Sequence, residues 1–327
     1  MNNIKKHIQS PEFITALLVG FLLTIVQYKV ARPMLMAERF VQGAGWIQIC
    51  VAMVYAAWVM HHIKQPQQSA TWRLRIWIAF SIVFFSQLLI GLLGLEQFLM
   101  TGKLHFPIPA LIVAGPLYRG EITFMIILFI STIVLTGPAW CSYLCYFGAI
   151  DGWASRGKTP HTPIAHKWRY KIAGLLLVIA VTIVLRVCNV PILYAIILAS
   201  LFGIGGLAVI VFISKKRKKM AHCVTYCPIG TIVSFAKYAS PFRMHIAPDC
   251  NACMKCSMTC TYDALQKIDI QHLRPGLTCT YCGDCISSCK SQSIHYTVFG
   301  SRTNKARTIF LILTISLHTC CLMLARI

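Results

Sequence analysis

The sequence predicts an all-α polytopic membrane protein of about seven spans that carries a small, cysteine-rich α+β insert. Three observations predict it. Of the 327 residues, 57% are hydrophobic and only 12% are charged, far from the balance of a soluble domain. Seven apolar runs are long enough, or nearly so, to span a bilayer. The last third carries one cysteine string twice, first at Cys250, Cys253, Cys256 and Cys260 and again at Cys279, Cys282, Cys285 and Cys289.

The runs cover residues 13–30, 44–60, 76–95, 122–135 with an extension, 172–185, 192–213 and 308–324. The first follows Lys5 and Lys6 and has no small-residue cleavage site behind it, so it reads as a retained span rather than a signal peptide. The fourth looks short, yet no charged residue occurs between Glu121 and Asp151. Gly137-Pro138 should kink it near the inner edge and start a second helical piece. The apolar loop before it, from His105 through three prolines to Pro116, could re-enter the membrane or dock a partner. With the N-terminus inside, only Lys29, Arg32, Arg39, Lys103, Arg119, Arg186 and Arg326 fall outside. Every other Lys and Arg is then inside, including Lys215–Lys219, read as the stop at the lipid headgroups. The expectation is a multi-pass protein of a bacterial-type inner (cytoplasmic) membrane, with its C-terminus outside. The net charge of +22 is explained by this topology, and no nucleic-acid partner is expected.

Each cysteine string reads C-x2-C-x2-C-x3-C, the ligand pattern of a bacterial ferredoxin with two [4Fe-4S] clusters. The fourth cysteine of each string crosses to the other cluster. Cys250, Cys253, Cys256 and Cys289 should hold cluster 1, and Cys279, Cys282, Cys285 and Cys260 cluster 2. Zinc sites more often set one C-x2-C pair against a distant second pair, and a disulfide framework would not repeat the string. Clusters need a reducing compartment, so the two-cluster ferredoxin-like insert should be cytoplasmic, in agreement with the charge count. The predicted organisation is a membrane domain of six spans over 1–213, a basic linker over 214–246, the insert over 247–300 and a C-terminal span over 301–327.

Two further cysteine pairs form a second repeat. Cys141-Ser-Tyr-Leu-Cys145 and Cys223-Val-Thr-Tyr-Cys227 align with Gly148/Gly230, Ile150/Ile232 and Ala154/Ala236 in register. Each pair follows two spans, so the unit could be a hairpin plus its C-x3-C segment, duplicated. On an α-helix such a pair is i, i+4 and shares one face. Two faces meeting would offer four thiolates, which suit an iron–sulfur cluster or zinc. A metal-free redox pair and simple helix packing are the other readings. Pro228 suits the first turn of an amphipathic interfacial helix. Of the remaining cysteines, Cys50, Cys188, Cys320 and Cys321, most lie in apolar runs and read as small buried hydrophobes.

Polytopic spans, two C-x3-C motifs and a double ferredoxin string together resemble the NapH / NosR / CcoG-like family of membrane ferredoxins, in size most like the NapH type. The resemblance covers about residues 140–296. It implies electron transfer between the quinone pool and a partner, and it implies that Cys141, Cys145, Cys223 and Cys227 matter to that transfer. The chain departs from the pattern where Thr261 and Lys290 stand in place of the proline after each fourth cysteine, and where Tyr146 follows the first pair.

The function expected is that of a membrane-bound electron-transfer subunit of an oxidoreductase system. It would relay electrons between quinol or another membrane donor and a flavoprotein, cytochrome or ferredoxin-type partner. The alternative, suggested by the CcoG-like branch, is reduction or handling of a metal ion such as copper in cofactor assembly. His61, His62 and His318 fall at different depths, which argues against a haem. His222, beside Cys223, is a candidate for proton transfer or for a hydrogen bond to a cluster or quinol, and Glu96 and Glu121 are candidate proton acceptors at the outer edge. No P-loop and no catalytic triad order is present.

Overall fold

A computed structural model describes residues 10–30, 33–98, 108–121, 124–157, 162–303 and 305–324, and not the side chains of residues 96, 124 and 125. Lys5, Lys6, Arg32, Lys103, His105, Lys158, Arg326 and the Glu96 side chain therefore lie outside the description. Seven helices among the described residues are long and apolar enough to cross a membrane: Pro11–Lys29, Ala44–Ile63, Pro66–Leu92, Ile126–Leu144, Lys167–Val187, Ile192–Arg217 and Ala306–Leu324. Contacts divide the chain into two units, Met1–Phe106 with Asn304–Ile327, and Pro107–Thr303.

In the first unit, Ser10 caps the Pro11–Lys29 helix by accepting the Phe13 amide at 3.3 Å, and Pro11 fills the first turn where no amide is needed. Thr15, Val19, Gly20 and Leu23 form its buried stripe against Ala44–Ile63. Ile49, Ala52, Ala56 and Cys320 complete this core. Small residues let the helices approach closely, as membrane helices do in the absence of a hydrophobic drive between them. Arg307 donates to the carbonyls of Lys64 (2.6 Å) and Ile63 (3.0 Å), capping the end of Ala44–Ile63. His318 is fully buried and meets the Tyr55 hydroxyl at 3.2 Å, whereas His61 lies at the exposed helix end, 3.3 Å from Glu12. Cys320 is buried as expected, but Cys50 is exposed on an apolar helix and Cys188 is exposed in the turn that ends Lys167–Val187.

In the second unit the chain twice follows a long helix with a π turn that leads into a nine-residue helix. Thr136 ends the Phe124–Thr136 helix, and Gly137 (φ +65°) and Pro138 break it into a 3₁₀ turn. A Cβ at Gly137 would lie 3.1 Å from the Tyr281 ring, so this position is closed to side chains by space as well as by backbone. A π turn and the short helix Tyr146–Ala154 follow. The second pass runs through Ile192–Val209, a π turn and the helix Pro228–Ala236, which has Pro228 in its first turn as predicted. Two strands, β1 (Phe242–Ile246) and β2 (Ile294–Val298), then pair antiparallel from Phe242↔Val298 to Ile246↔Ile294. Their alternation buries Phe242, Met244, Ile246, Ile294 and Tyr296 toward the cysteines. The helices Lys255–Thr259 and Asp284–Ser288, five residues each, hold the middle of each string.

Candidate iron–sulfur sites

The two ferredoxin strings fold alike. Left-handed residues recur at matching places, Ala252 and Met254 in one string, Tyr281 and Gly283 in the other. Alternating right- and left-handed residues turn successive amides inward, a backbone concavity suited to an anionic iron–sulfur group. The non-glycine positions are strained, as functional turns often are.

Two cavities result. One is lined by Cys250, Cys253, Cys256 and Cys289. The other is lined by Cys260, Cys279, Cys282 and Cys285. Each takes its fourth cysteine from the other string. Burial pushes the Cys256 thiol up to about 11, and the charges of Cys289, Cys250 and Cys253 add to this. Burial pushes Cys260 up to about 12, partly offset by the Ala264 amide. Cys253 is exposed, so the first cavity opens to solvent at one corner, while Cys285 is buried.

The paired motifs also fold alike. The π turns Trp140–Leu144 and His222–Tyr226 carry Cys141 and Cys223, and Cys145 and Cys227 are the N-caps of the helices that follow. The Cys145 amide bonds the Trp140 carbonyl and the Cys227 amide the His222 carbonyl, each at 2.9 Å. This corrects the i, i+4 expectation. The second cysteine of each pair has left the helix for extended backbone, because the next helix starts there, and the turn widens from α to π. At the first motif the cap geometry aims an amide at sulfur, with Gly148 N–H reaching Cys145 Sγ at 3.4 Å, whereas Cys227 makes no side-chain cap hydrogen bond. A Cβ at Gly230 would lie 2.8 Å from the Cys223 carbonyl oxygen, a backbone atom, which accounts for glycine here.

The four thiols share one electrostatic neighbourhood. Cys223 is raised well above the ordinary thiol range, first by burial and then by Asp151, Cys145, Cys227 and Cys141. Burial pushes Cys145 up to about 12, with Cys227 adding to it. As bare thiols they are inert, and a metal centre is what would draw them into the ionised form. Among the described residues no three His, Cys, Asp or Glu side chains converge tightly enough to hold a single metal ion.

Two buried charged groups attend the paired site. Asp151 accepts the Cys223 amide at 3.0 Å, and burial pushes its carboxyl up to about 6. Lys171 Nζ lies 3.4 Å from the Cys223 carbonyl and 5.6 Å from the Trp168 ring centroid. His222 is buried between Phe147 and Tyr226, at 5.6 and 5.5 Å between ring centroids, and burial pulls it down to about 4, so it is neutral.

The paired segment abuts the second quartet. The Tyr262 hydroxyl donates to the Cys141 carbonyl at 3.1 Å, and Tyr262 itself lines the second cavity. In return, the Tyr143 hydroxyl donates to the Cys282 carbonyl and the Ser142 hydroxyl to the Thr280 carbonyl, both at 3.3 Å. From the second motif, the Met220 amide bonds the Thr261 carbonyl at 2.9 Å. Asp263, fully buried, binds Lys167 at 2.9 Å and also Lys219. Lys219 is thus not a headgroup lysine. Its neighbours Lys215 and Lys216 remain exposed.

The family model of a 4Fe-4S binding domain matches residues 120–171 and 198–245. The chain carries a 4Fe-4S binding domain of ferredoxin type over these residues. The matched stretches contain one C-x3-C pair each and end before Cys250, so the match falls on the duplicated paired segments and not on the ferredoxin strings. No curated protein and no solved structure matches the chain.

Several residues of these sites carry no signal in the sequence. Tyr143 and Tyr262 are ordinary aromatics until the fold sets them against opposing cysteines. Lys171 and Lys167 look like positive-inside lysines, and only burial distinguishes Lys171. Asp151 did carry a faint signal, as the first charge after a long apolar stretch.

Proposed function

We propose that this chain is a multi-pass membrane protein that relays electrons between the quinone pool, or another membrane donor, and a redox partner protein. In this reading Cys250, Cys253, Cys256 and Cys289 hold one [4Fe-4S] cluster, Cys260, Cys279, Cys282 and Cys285 a second, and Cys141, Cys145, Cys223 and Cys227 a third centre. When bound, each cubane takes up and releases single electrons. The chain's own residues do the rest. The backbone concavities and the Cys145 N-cap direct amides at sulfur. The surrounding apolar residues exclude water. Tyr143, Tyr262 and Ser142 fix the paired site against the second quartet. The excess of Lys and Arg supports a cytoplasmic position for all three sites.

The observation that carries the reading is the 4Fe-4S match on both paired segments, outside the strings whose spacing already predicts two cubanes. Iron and sulfide assay of anaerobically purified protein tests it, with Cys141→Ser and Cys223→Ser combined in one variant. The double variant should lose one cubane's worth of iron and sulfide and keep the rest. Unchanged iron would remove the third centre.

A further inference from the structure

A buried ammonium is costly unless something of opposite charge faces it. In the second unit Lys167 and Lys219 meet this condition through Asp263. Lys171 and Lys237 are buried to 2% and 3% exposure, and among the described residues neither forms an ion pair with a carboxylate. Both are turned toward cysteines instead. Lys171 reaches the Cys223 carbonyl at 3.4 Å, and Cys227, Cys141 and Cys223 are the groups beside it that would turn negative on ligation. Lys237 donates to the carbonyls of Leu277 (2.8 Å) and Cys279 (3.3 Å) and lies 5.6 Å from the Tyr281 ring centroid. At the first quartet the adjacent lysines, Lys255 and Lys290, are exposed, where water and salt screen them.

We infer that Lys171 and Lys237 are the counter-charges of the groups bound at the paired site and at the second quartet, and that each sets the reduction potential of its own site. The inference rests on the proposed ligation. Adding an electron makes a thiolate-bound iron–sulfur group more negative, and burial alone disfavours that reduced form. A fixed ammonium nearby in a low-dielectric setting favours it, far more than an exposed lysine would. The fold supplies one such lysine at each buried site.

Anaerobic redox titration of the holoprotein followed by EPR tests this. Cys253→Ser, at the exposed corner, identifies the signal of the first quartet. Lys237→Met should lower the potential of the second-quartet signal and leave the other two in place. Lys171→Met should lower that of the paired site alone. Iron and sulfide should stay at the native level in both. Should Lys237→Met fail to retain iron, Lys237→Gln carries the test, since it keeps a donor for the Leu277 and Cys279 carbonyls and removes only the charge. Lys237→Arg should hold the potential near native. A native second-quartet potential in Lys237→Gln, with full iron content, overturns the inference. A native protein without any paired-site signal would instead sink the third centre and the Lys171 half with it, while the Lys237 result stands by itself.

Discussion

The two ferredoxin quartets share one spacing, one pattern of left-handed residues and one short helix apiece, yet they sit in different surroundings. The first opens to solvent at Cys253, next to exposed Asn251 and Ala252. The second is lined by Tyr262, its backbone carbonyls accept hydrogen bonds from Tyr143 and Lys237, and the buried Asp263 cluster lies close by in the chain. Ligand spacing therefore fixes which cysteines meet, and it says nothing about the environment in which they meet. That environment comes from segments over a hundred residues upstream in the case of Tyr143. Exposure, nearby charge and hydrogen bonds are the levers that tune iron–sulfur potentials, so the two cubanes proposed for these quartets should behave differently from one another.

The contrast can be broken most severely at Asp263. Asp263→Asn would leave the buried Lys219 and the half-buried Lys167 without their anion, at a cost of about 3–5 kcal/mol. Denaturant titration followed by the cluster absorbance should show a large loss of stability, and adding Lys219→Met should recover part of it. If Asp263→Asn behaves like the native protein, the second quartet is less enclosed than described.

A smaller effect should separate the quartets directly. In the apo protein, a polar maleimide should label Cys253 first, and Cys256 and Cys285 last, as read by mass spectrometry of the peptides. In the holoprotein, a chelator under mild oxidation should strip the first quartet before the second. Equal rates at the two quartets would erase the comparison.

Tyr143→Phe and Tyr262→Phe each remove one hydroxyl between the paired segment and the second quartet. Each should cost about 1 kcal/mol, and because the two share one interface their effects should not add. Strict additivity would mean that they act in separate places.

The smallest effect concerns the ribbon beside the first cavity. His245 and His295 face each other across the strands, with ring centroids 6.3 Å apart. Burial pulls His245 below the ordinary range, and His295 and Arg243 add to this. The folded form thus binds this proton less readily than the unfolded chain. Stability is full above the unfolded value and declines as pH falls from there through the lowered folded one. His295→Gln should shift acid-induced loss of the cluster absorbance to lower pH, with no change at neutral pH.

Much of this was legible in the sequence. The seven apolar runs return as helices, and the strings group as their spacing dictates, because Cys-x2-Cys leaves the chain few ways to present three sulfurs to one point. The break at Gly137-Pro138 and the start at Pro228 followed from backbone chemistry alone. The π turns were not legible. A C-x3-C spacing fits an α-helix equally well, and what widens the turn is the new helix that begins at Cys145 and Cys227. Lys219 misled for a related reason: a lysine run at a span's end looks the same whether its last member meets lipid or Asp263. The Tyr143 and Tyr262 hydrogen bonds depend on tertiary placement and leave no periodic trace.

The central claim is that the paired motifs form a third iron–sulfur site beside the two quartets. Iron anomalous scattering from anaerobically grown crystals tests it most directly. Three separate iron positions are expected, one among Cys250, Cys253, Cys256 and Cys289, one among Cys260, Cys279, Cys282 and Cys285, and one among Cys141, Cys145, Cys223 and Cys227. Iron at the first two positions alone, in protein whose paired cysteines are reduced and unmodified, would contradict it.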